Sequence, residues 1–388
     1  MTNCTASAPA KETATGQDLL AYWLPLLEEA IEPEHLLDVE ERQRRAWAFE
    51  PLDTLPVMVT LRDDVAHLTR GHTEWPTFDW DDQMADPARM LLNELAPAWE
   101  SALIRDDKCF SIRPNLGIGT LPALVGCGMA FDKASEDSMP WIVRPEGFSE
   151  REHLEALIAA GLPDMDGGVT PQYRSIVEAW RGYLKPYPKL ERFAHLTLPD
   201  NQGPFNLAFH FRGEALYLDV YDDPDFMHRF LSWINLLYVA ASTHYKRILG
   251  EPLDEGFYWN WRLRGGVRNV DDNSVLLGPE MYEEFVKPYN DRSFGPFGGG
   301  VHHFCGNVGH LLPAAVNITN LSGIHLGNPE LNEFDSVWRQ TSARKVCLLW
   351  DAPLPESHRS LIRTGIVIRE KVKTMEEARA TLDRYRAA

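Results

Sequence analysis

Strand-like and helix-like segments alternate about eight times along the 388 residues, with no shift in composition to mark a second domain. That alternation is the strongest constraint on the fold. Parallel strands joined by helices need both faces of their sheet covered, so the chain reads as α/β. The expected strands include Val57–Val59, Cys109–Ile112, Phe193–Leu198, Ile318–Ile324, Lys345–Trp350 and Gly365–Ile368. Several run directly into polar residues beside Gly or Pro: Arg113-Pro114-Asn115, Pro199-Asp200-Asn201-Gln202-Gly203, His325-Leu326-Gly327 and Asp351-Ala352-Pro353. Such segments at strand carboxyl ends gather on one rim of a closed barrel, the rim that carries the site in this architecture. The expectation is a single (β/α)8 (TIM) barrel over residues 17–388, with a helical extension and a flexible start over 1–16. Its pocket would be lined by Arg113, Asn115, Asp200, His303, Cys305, His325 and Asp351.

The helices are marked by their ends. Leu19, Leu20, Trp23, Leu24 and Leu27 recur at helical spacing, and a charged second helix is expected over 38–49. Asp86-Pro87 and Asp223-Pro224 each put a capping acid before a proline in the first turn. Thr374 and Glu377 have the spacing of a capping box for a closing helix over 375–385. No repeat of 20–50 residues is present, and Gly117 and Gly119 alone do not make a dinucleotide fingerprint.

Chemistry concentrates in Gly298-Gly299-Gly300-Val301-His302-His303-Phe304-Cys305-Gly306-Asn307. The glycines admit a close approach of other backbone. His303 and Cys305 are two apart, so on a strand they face the same side. An imidazole and a thiolate suit zinc, although a zinc site needs at least three protein donors. The competing reading is a buried thiol beside a hydrogen-bonded histidine. Asp271-Asp272 follows an aromatic and basic stretch, 257–268, and offers either helix capping or acid–base chemistry. Neighbouring side chains on a short loop point apart. One is therefore expected to cap the helix beginning near Pro279 or to pair with Arg268, and Asp272 to face the cleft.

Composition narrows the classes of function. A hydrophobic fraction of 44% with 12 Trp allows a large core. A net charge of −19 argues against wrapping nucleic acid phosphates. No apolar run approaches the ~18 residues that span a membrane, and Met1–Gly16 lacks the apolar core of a signal peptide. The 5 Cys are widely spaced and do not resemble a disulfide framework. A cytoplasmic protein with reduced thiols is expected.

Several stretches together resemble the uroporphyrinogen decarboxylase superfamily, which includes cobalamin-dependent methyltransferases. They are Glu41-Arg42 through Pro51-Leu52-Asp53-Thr54-Leu55-Pro56-Val57, Asn201-Gln202-Gly203-Pro204-Phe205, Asp271-Asp272 through Gly278-Pro279-Glu280-Met281-Tyr282 to Tyr289, and His303-Phe304-Cys305-Gly306-Asn307. The resemblance implies the same barrel. The arginine-rich tetrapyrrole-binding signature of true decarboxylases has no counterpart in residues 40–80, so the resemblance leans to the methyltransferase branch. There, H-x-C and a later Cys hold zinc, which activates a thiol acceptor such as coenzyme M or homocysteine. It implies zinc on His303, Cys305 and either Cys347 or Glu370, a small-molecule substrate, and a corrinoid protein as partner. The alternative is a metal-free decarboxylase or lyase using Asp200, Asp271 or Asp272 with Arg113 or Arg268, and with Asn115, Asn201, His325 and Asp351 lining the substrate. A third reading is a non-catalytic small-molecule binder.

Overall fold

The computed structural model describes residues 8–11, 13–61, 74–131 and 140–387. Its organising element is a parallel sheet of six strands: β1 (Val57–Leu61), β4 (Val267–Val270), β5 (Gly300–Phe304), β6 (Leu321–Leu326), β7 (Cys347–Trp350) and β8 (Ile366–Val372). Two short strands, β2 (Ser111–Ile112) and β3 (His195–Leu196), form a separate parallel pair. The spatial order is β1–β8–β7–β6–β5–β4, so the first strand lies beside the last. Between β1 and the β2 segment side chains replace ladder bonds. Val57 N donates to Asp107 Oδ2 at 2.8 Å and Val59 N to Asp106 Oδ2 at 2.7 Å. Asp107 N returns a bond to Val57 O at 3.0 Å, and the Lys108 ammonium donates to Val59 O and Asp106. Between β3 and β4 the link is Gly203 N to Val270 O, 2.8 Å.

The sheet has two apolar faces, as strands covered on both sides must. On one, Val57, Val59, Leu61, Ile324, Leu326, Leu348, Ile366 and Ile368 pack with the helices. On the other, Met58, Val301, Cys347, Leu349 and Val367 pack with Trp47 and Trp261. Trp47 ends helix α2 (Pro33–Trp47), and Trp261 belongs to an antiparallel hairpin, Glu255–Tyr258 with Trp261–Arg264. The hairpin turn holds Trp259 at φ 47° and Asn260 at φ 66°. Asn tolerates the left-handed region, while Trp there costs about 1 kcal/mol. Fixed partners hold the turn. Asn260 O accepts from Cys109 N at 2.9 Å, and its Oδ1 accepts from Ser111 N at 3.2 Å. Gln43 in α2 donates to both Asp107 O and Asn260 O, tying helix, seam and hairpin together.

Several boundaries differ from the sequence expectation. The stretch 257–268 covers most of the hairpin, and then β4 begins at Val267; a turn built on Trp-Asn lacks the Asn-Gly signature that would reveal it. Helix α2 starts at Pro33, five positions early, because proline at the first turn loses no needed N–H. Thr15 caps α1 (Gly16–Ala30) in a capping box with Asp18; most of the expected flexible start, residues 1–7 and 12, falls outside the described set. Asp86 caps α3 (Pro87–Ile104), Asp223 caps α4 (Pro224–Leu249) and Thr374 caps α5 (Met375–Arg386), each through its side chain. Gly299 has φ 129°, and a Cβ there would lie 2.3 Å from Ser322 Oγ, so this glycine is what lets β5 begin against β6. Among the described residues no helix is long and apolar enough to cross a membrane.

The β1–β2 seam makes a stability prediction. Asp107→Ala removes the acceptor of Val57 N–H and the partner of Arg42, leaving a buried donor unsatisfied. It is expected to cost about 3 kcal/mol, read as a lowered denaturant midpoint with an unchanged slope. An effect below about 0.5 kcal/mol would show that the seam is held by other contacts.

Candidate metal centre

Register places the chemistry. β5 and β6 pair so that His303 lies opposite His325, and β4 brings Val270 alongside His303. Parallel strands in register share faces, so His303 and His325 point to the same side as Val301, Leu349 and Val367. Cys305 continues that row one step beyond β5. Asp272 enters from the 3-10 turn Asp272–Leu276 after β4, where its Oδ1 accepts from Cys305 N at 2.7 Å. His303 Nε2 lies 3.4 Å from Cys305 Sγ and 3.6 Å from Asp272 Oδ1. Donor atoms of Asp272, His303 and Cys305 all fall within 4.8 Å of one another.

These distances fit a metal. A tetrahedral zinc with ordinary bond lengths holds N and S about 3.5 Å apart, and N and O about 3.4 Å apart. The set has three donors of the N, S and O kinds, and Cys305 and Asp272 reach solvent while His303 is buried. Gly327 keeps the site open, since a Cβ there would lie 3.0 Å from both Cys305 Sγ and His303 Cε1. Burial, and then Arg268, keep His303 neutral, the state in which it donates a lone pair. Burial and the Asp272 charge push the Cys305 thiol up to about 12. A cation in the centre of the three is what would reverse that.

Behind His303 a second row runs sideways. His303 Nδ1 is 2.8 Å from His325 Nδ1, His325 Nε2 is 3.2 Å from Asp351 Oδ2, and Arg369 Nη1 is 3.3 Å from the same oxygen. Burial alone would raise the Asp351 carboxyl; Arg369 and His325 outweigh it and hold it well below the usual range. The hairpin tip forms the floor. Trp259 meets His303 and His325 edge to face at 5.9 and 5.6 Å, and Trp261 meets His325 at 4.7 Å. Arg369 donates to Trp259 O at 2.6 Å. Arg268 lies 4.1 Å over the Trp259 ring.

Arg268 also belongs to a buried charge cluster. Asp200 lies 3.2 Å from Arg268 Nη1 and 3.1 Å from Arg113 Nη1, and Arg113 Nη1 donates to Tyr258 Oη at 2.6 Å. Burial would raise Asp200, but the two guanidiniums outweigh it and lower it. One carboxylate thus faces two cations, and the buried Nε of Arg268 has no hydrogen-bond partner among the described residues.

The remaining expected residues are placed elsewhere. Cys347 faces the same side as His303 but pairs with Gly323, two residues lower, beneath Trp47 and Trp261. Glu370 faces the opposite side, where Arg384 at 2.9 Å and Tyr385 of α5 hold it. Neither joins the donor set, and Asp272 supplies the third donor in their place. Asn115 donates to Glu94 in α3 and Asn201 to Ser242 in α4, so both amides fasten strand ends to helices. Asp271 is fully buried and accepts from Asn206 N and Asn290 Nδ2, which separates its role from that of Asp272; it neither caps the helix at Pro279 nor pairs with Arg268, because β4 carries it toward the helix that starts at Pro204. His302 points outward to Tyr282. A cleft of about 730 Å³ lies beside the start of β3, lined by Glu40, Arg181, His195, Phe257 and Arg262 and by none of the expected site residues. Sequence reading missed Tyr258, Trp259, Trp261 and Arg369; the first three lay in the aromatic stretch whose strand pattern went unread, and Arg369 was passed over for its neighbour Glu370.

No protein-family profile matches the sequence, and neither does any curated protein. Among solved structures, a methyltransferase from Methanosarcina mazei is similar, with a TM-score of 0.60 at 15% identity over 90% of this chain and 98% of that one. At that identity the likeness concerns the fold alone.

The Asp200 cluster predicts a pH dependence. A lowered carboxylate stabilises the folded state above its unfolded value of about 3.9, and that contribution disappears as pH falls through the folded value. Asp200→Asn is therefore expected to cost about 3 kcal/mol at neutral pH, and the gap to the native chain should close in acid below about pH 4. Chemical denaturation of both proteins across pH measures it; a gap that stays constant into acid would refute the assignment.

Proposed function

We propose that the protein is a zinc-dependent methyltransferase of the uroporphyrinogen decarboxylase-like kind, built as one (β/α)8 barrel over residues 17–388. For the barrel, the support is β1 lying beside β8, the β2–β3 pair, and the polar links on either side of that pair. For the activity, the observation that carries most weight is the Asp272, His303 and Cys305 set, with spacings near those of zinc ligands. The similar Methanosarcina mazei structure is named a methyltransferase, which favours methyl transfer over other metal chemistry. The partners would be a small thiol and a methyl donor, with a corrinoid protein as one source of the methyl group, acting in the cytoplasm.

Zinc in this site would supply thiol activation, holding a substrate thiol as the nucleophilic thiolate. The chain's own part is positional. A neutral His303, a Cys305 thiolate and an Asp272 carboxylate would balance a dication, so a nearly neutral centre sits beside Arg268 without strong repulsion. Arg268, fixed over Trp259, is placed to attract an anionic group on the substrate. Trp259 and Trp261 keep the floor dry, which strengthens each electrostatic contact above them.

Metal analysis of the purified protein tests this reading. About one zinc per chain is expected, with His303→Ala, Cys305→Ser and Asp272→Asn each well below that and inactive in thiol methylation. Cys347→Ser and Glu370→Gln should keep their metal. Native protein free of zinc, with thiol methylation indifferent to a chelator, would replace this reading with the metal-free lyase, in which Asp272 is the acid or base.

A further inference from the structure

We infer that His325 is a positioning residue that accepts the Nδ1 proton of His303, fixing His303 as the Nδ1–H tautomer with a bare Nε2 turned toward Asp272 and Cys305. The inference takes its functional meaning from the proposed metal centre. The two rings meet Nδ1 to Nδ1 at 2.8 Å, and both residues are buried, at 4% and 1% exposure. A contact that short between two ring nitrogens needs one proton between them, and geometry alone does not say which ring carries it.

The neighbours decide the direction. Asp351 has Arg369 Nη1 3.3 Å from its Oδ2, and His325 Nε2 is 3.2 Å from the same oxygen. The 3.2 Å approach lies off the hydrogen-bond direction, but a carboxylate that close repels a ring lone pair, so the His325 nitrogen facing it bears hydrogen. A neutral imidazole carries a single N–H, which leaves His325 Nδ1 as an acceptor. His303 Nδ1 must then be the donor, and its Nε2 is left with a lone pair. That nitrogen lies 3.4 Å from Cys305 Sγ and 3.6 Å from Asp272 Oδ1, and is the imidazole member of the donor set. From His303 through His325 to Asp351 each step therefore points one proton away from the metal position, and Arg369 donates to that carboxylate from its far side. It selects the tautomer opposite to the one a free histidine side chain prefers. The edges of Trp259 and Trp261 around both rings offer no acceptor to compete.

Nitrogen-15 NMR of histidine-labelled, metal-free protein reads the tautomers directly, and zinc titration reads their consequence. The native protein is expected to show His303 protonated at Nδ1 and His325 at Nε2. His325→Phe fills the space but cannot accept; His303 should revert to the Nε2–H form and zinc affinity fall about 10- to 100-fold. His325→Gln, whose amide oxygen can accept, should restore most of that affinity. An Nε2–H His303 in the native protein, a reading that requires no variant to fold, overturns the inference, as does native zinc affinity in His325→Phe. Native protein with the expected tautomers that binds no zinc overturns the metal centre and, with it, the positioning role of His325, leaving the direction of the hydrogen bonds intact.

Discussion

The lateral register of β5 against β6 is the constraint on which the rest depends. Opposing His303 to His325 brings two imidazoles within hydrogen-bond distance on one face of the sheet. The same register sends Cys305, Asp351 and Arg369 to the level just above, because side chains in register on parallel strands repeat every second residue. A slip of one residue would turn His302 inward and His303 out to the helices, and the donor set would vanish. Gly299, free to adopt φ 129°, sets where β5 starts and so helps fix that register.

The second constraint is the hairpin. Apolar side chains from β1, β5, β7 and β8 leave room that Trp47 and Trp261 fill, and the hairpin tip then rises to the level of the imidazoles. Its turn sits in the left-handed region at a conformational cost, met by backbone and side-chain bonds from Cys109, Ser111, Gln43 and Arg369. One insertion thus links the β1–β2 seam below to the floor of the donor set above. In a chain of net charge −19, the groups around that floor include Arg113, Arg268 and Arg369, each within reach of a carboxylate. Their placement there is a local design against the overall balance, and it favours anionic groups near the site.

Much of this was legible in the sequence. The alternation of elements gave the α/β class, the capping pairs gave helix starts, and the H-x-C spacing gave two same-face donors. The division between Asp271 and Asp272 followed from adjacent side chains diverging on a short loop. The third donor was not legible, since Asp272 reaches His303 only because β4 pairs with β5, and pairing partners cannot be read from spacing within one segment. Glu370 was chosen for its chemistry, but strand parity assigns the inner face to Arg369 and the outer to Glu370. Cys347 has the right parity and the wrong height. The hairpin was hidden because Trp-Asn is a rare turn pair, and its aromatic strands resemble loop anchors.

Acid–base capacity narrows the chemistry further. Asp200 is engaged by two guanidiniums and Asp271 by two donors, and both are buried away from solvent, burial pushing the Asp271 carboxyl up to about 7. His303 and His325 share a proton and are held neutral by burial. Asp272 and Cys305 are the donors that meet solvent, and they lie on the open side of the cluster. Any substrate approaching this face therefore meets a carboxylate and a thiol first, with Arg268 close behind. A proton-transfer reaction on this face would rely on Asp272, with the Cys305 thiol, pushed up to about 12, as its ionisable neighbour. A reaction driven by a cation held among the three donors, as proposed, needs no second acid, and the imidazole row behind His303 would then orient its donor nitrogen.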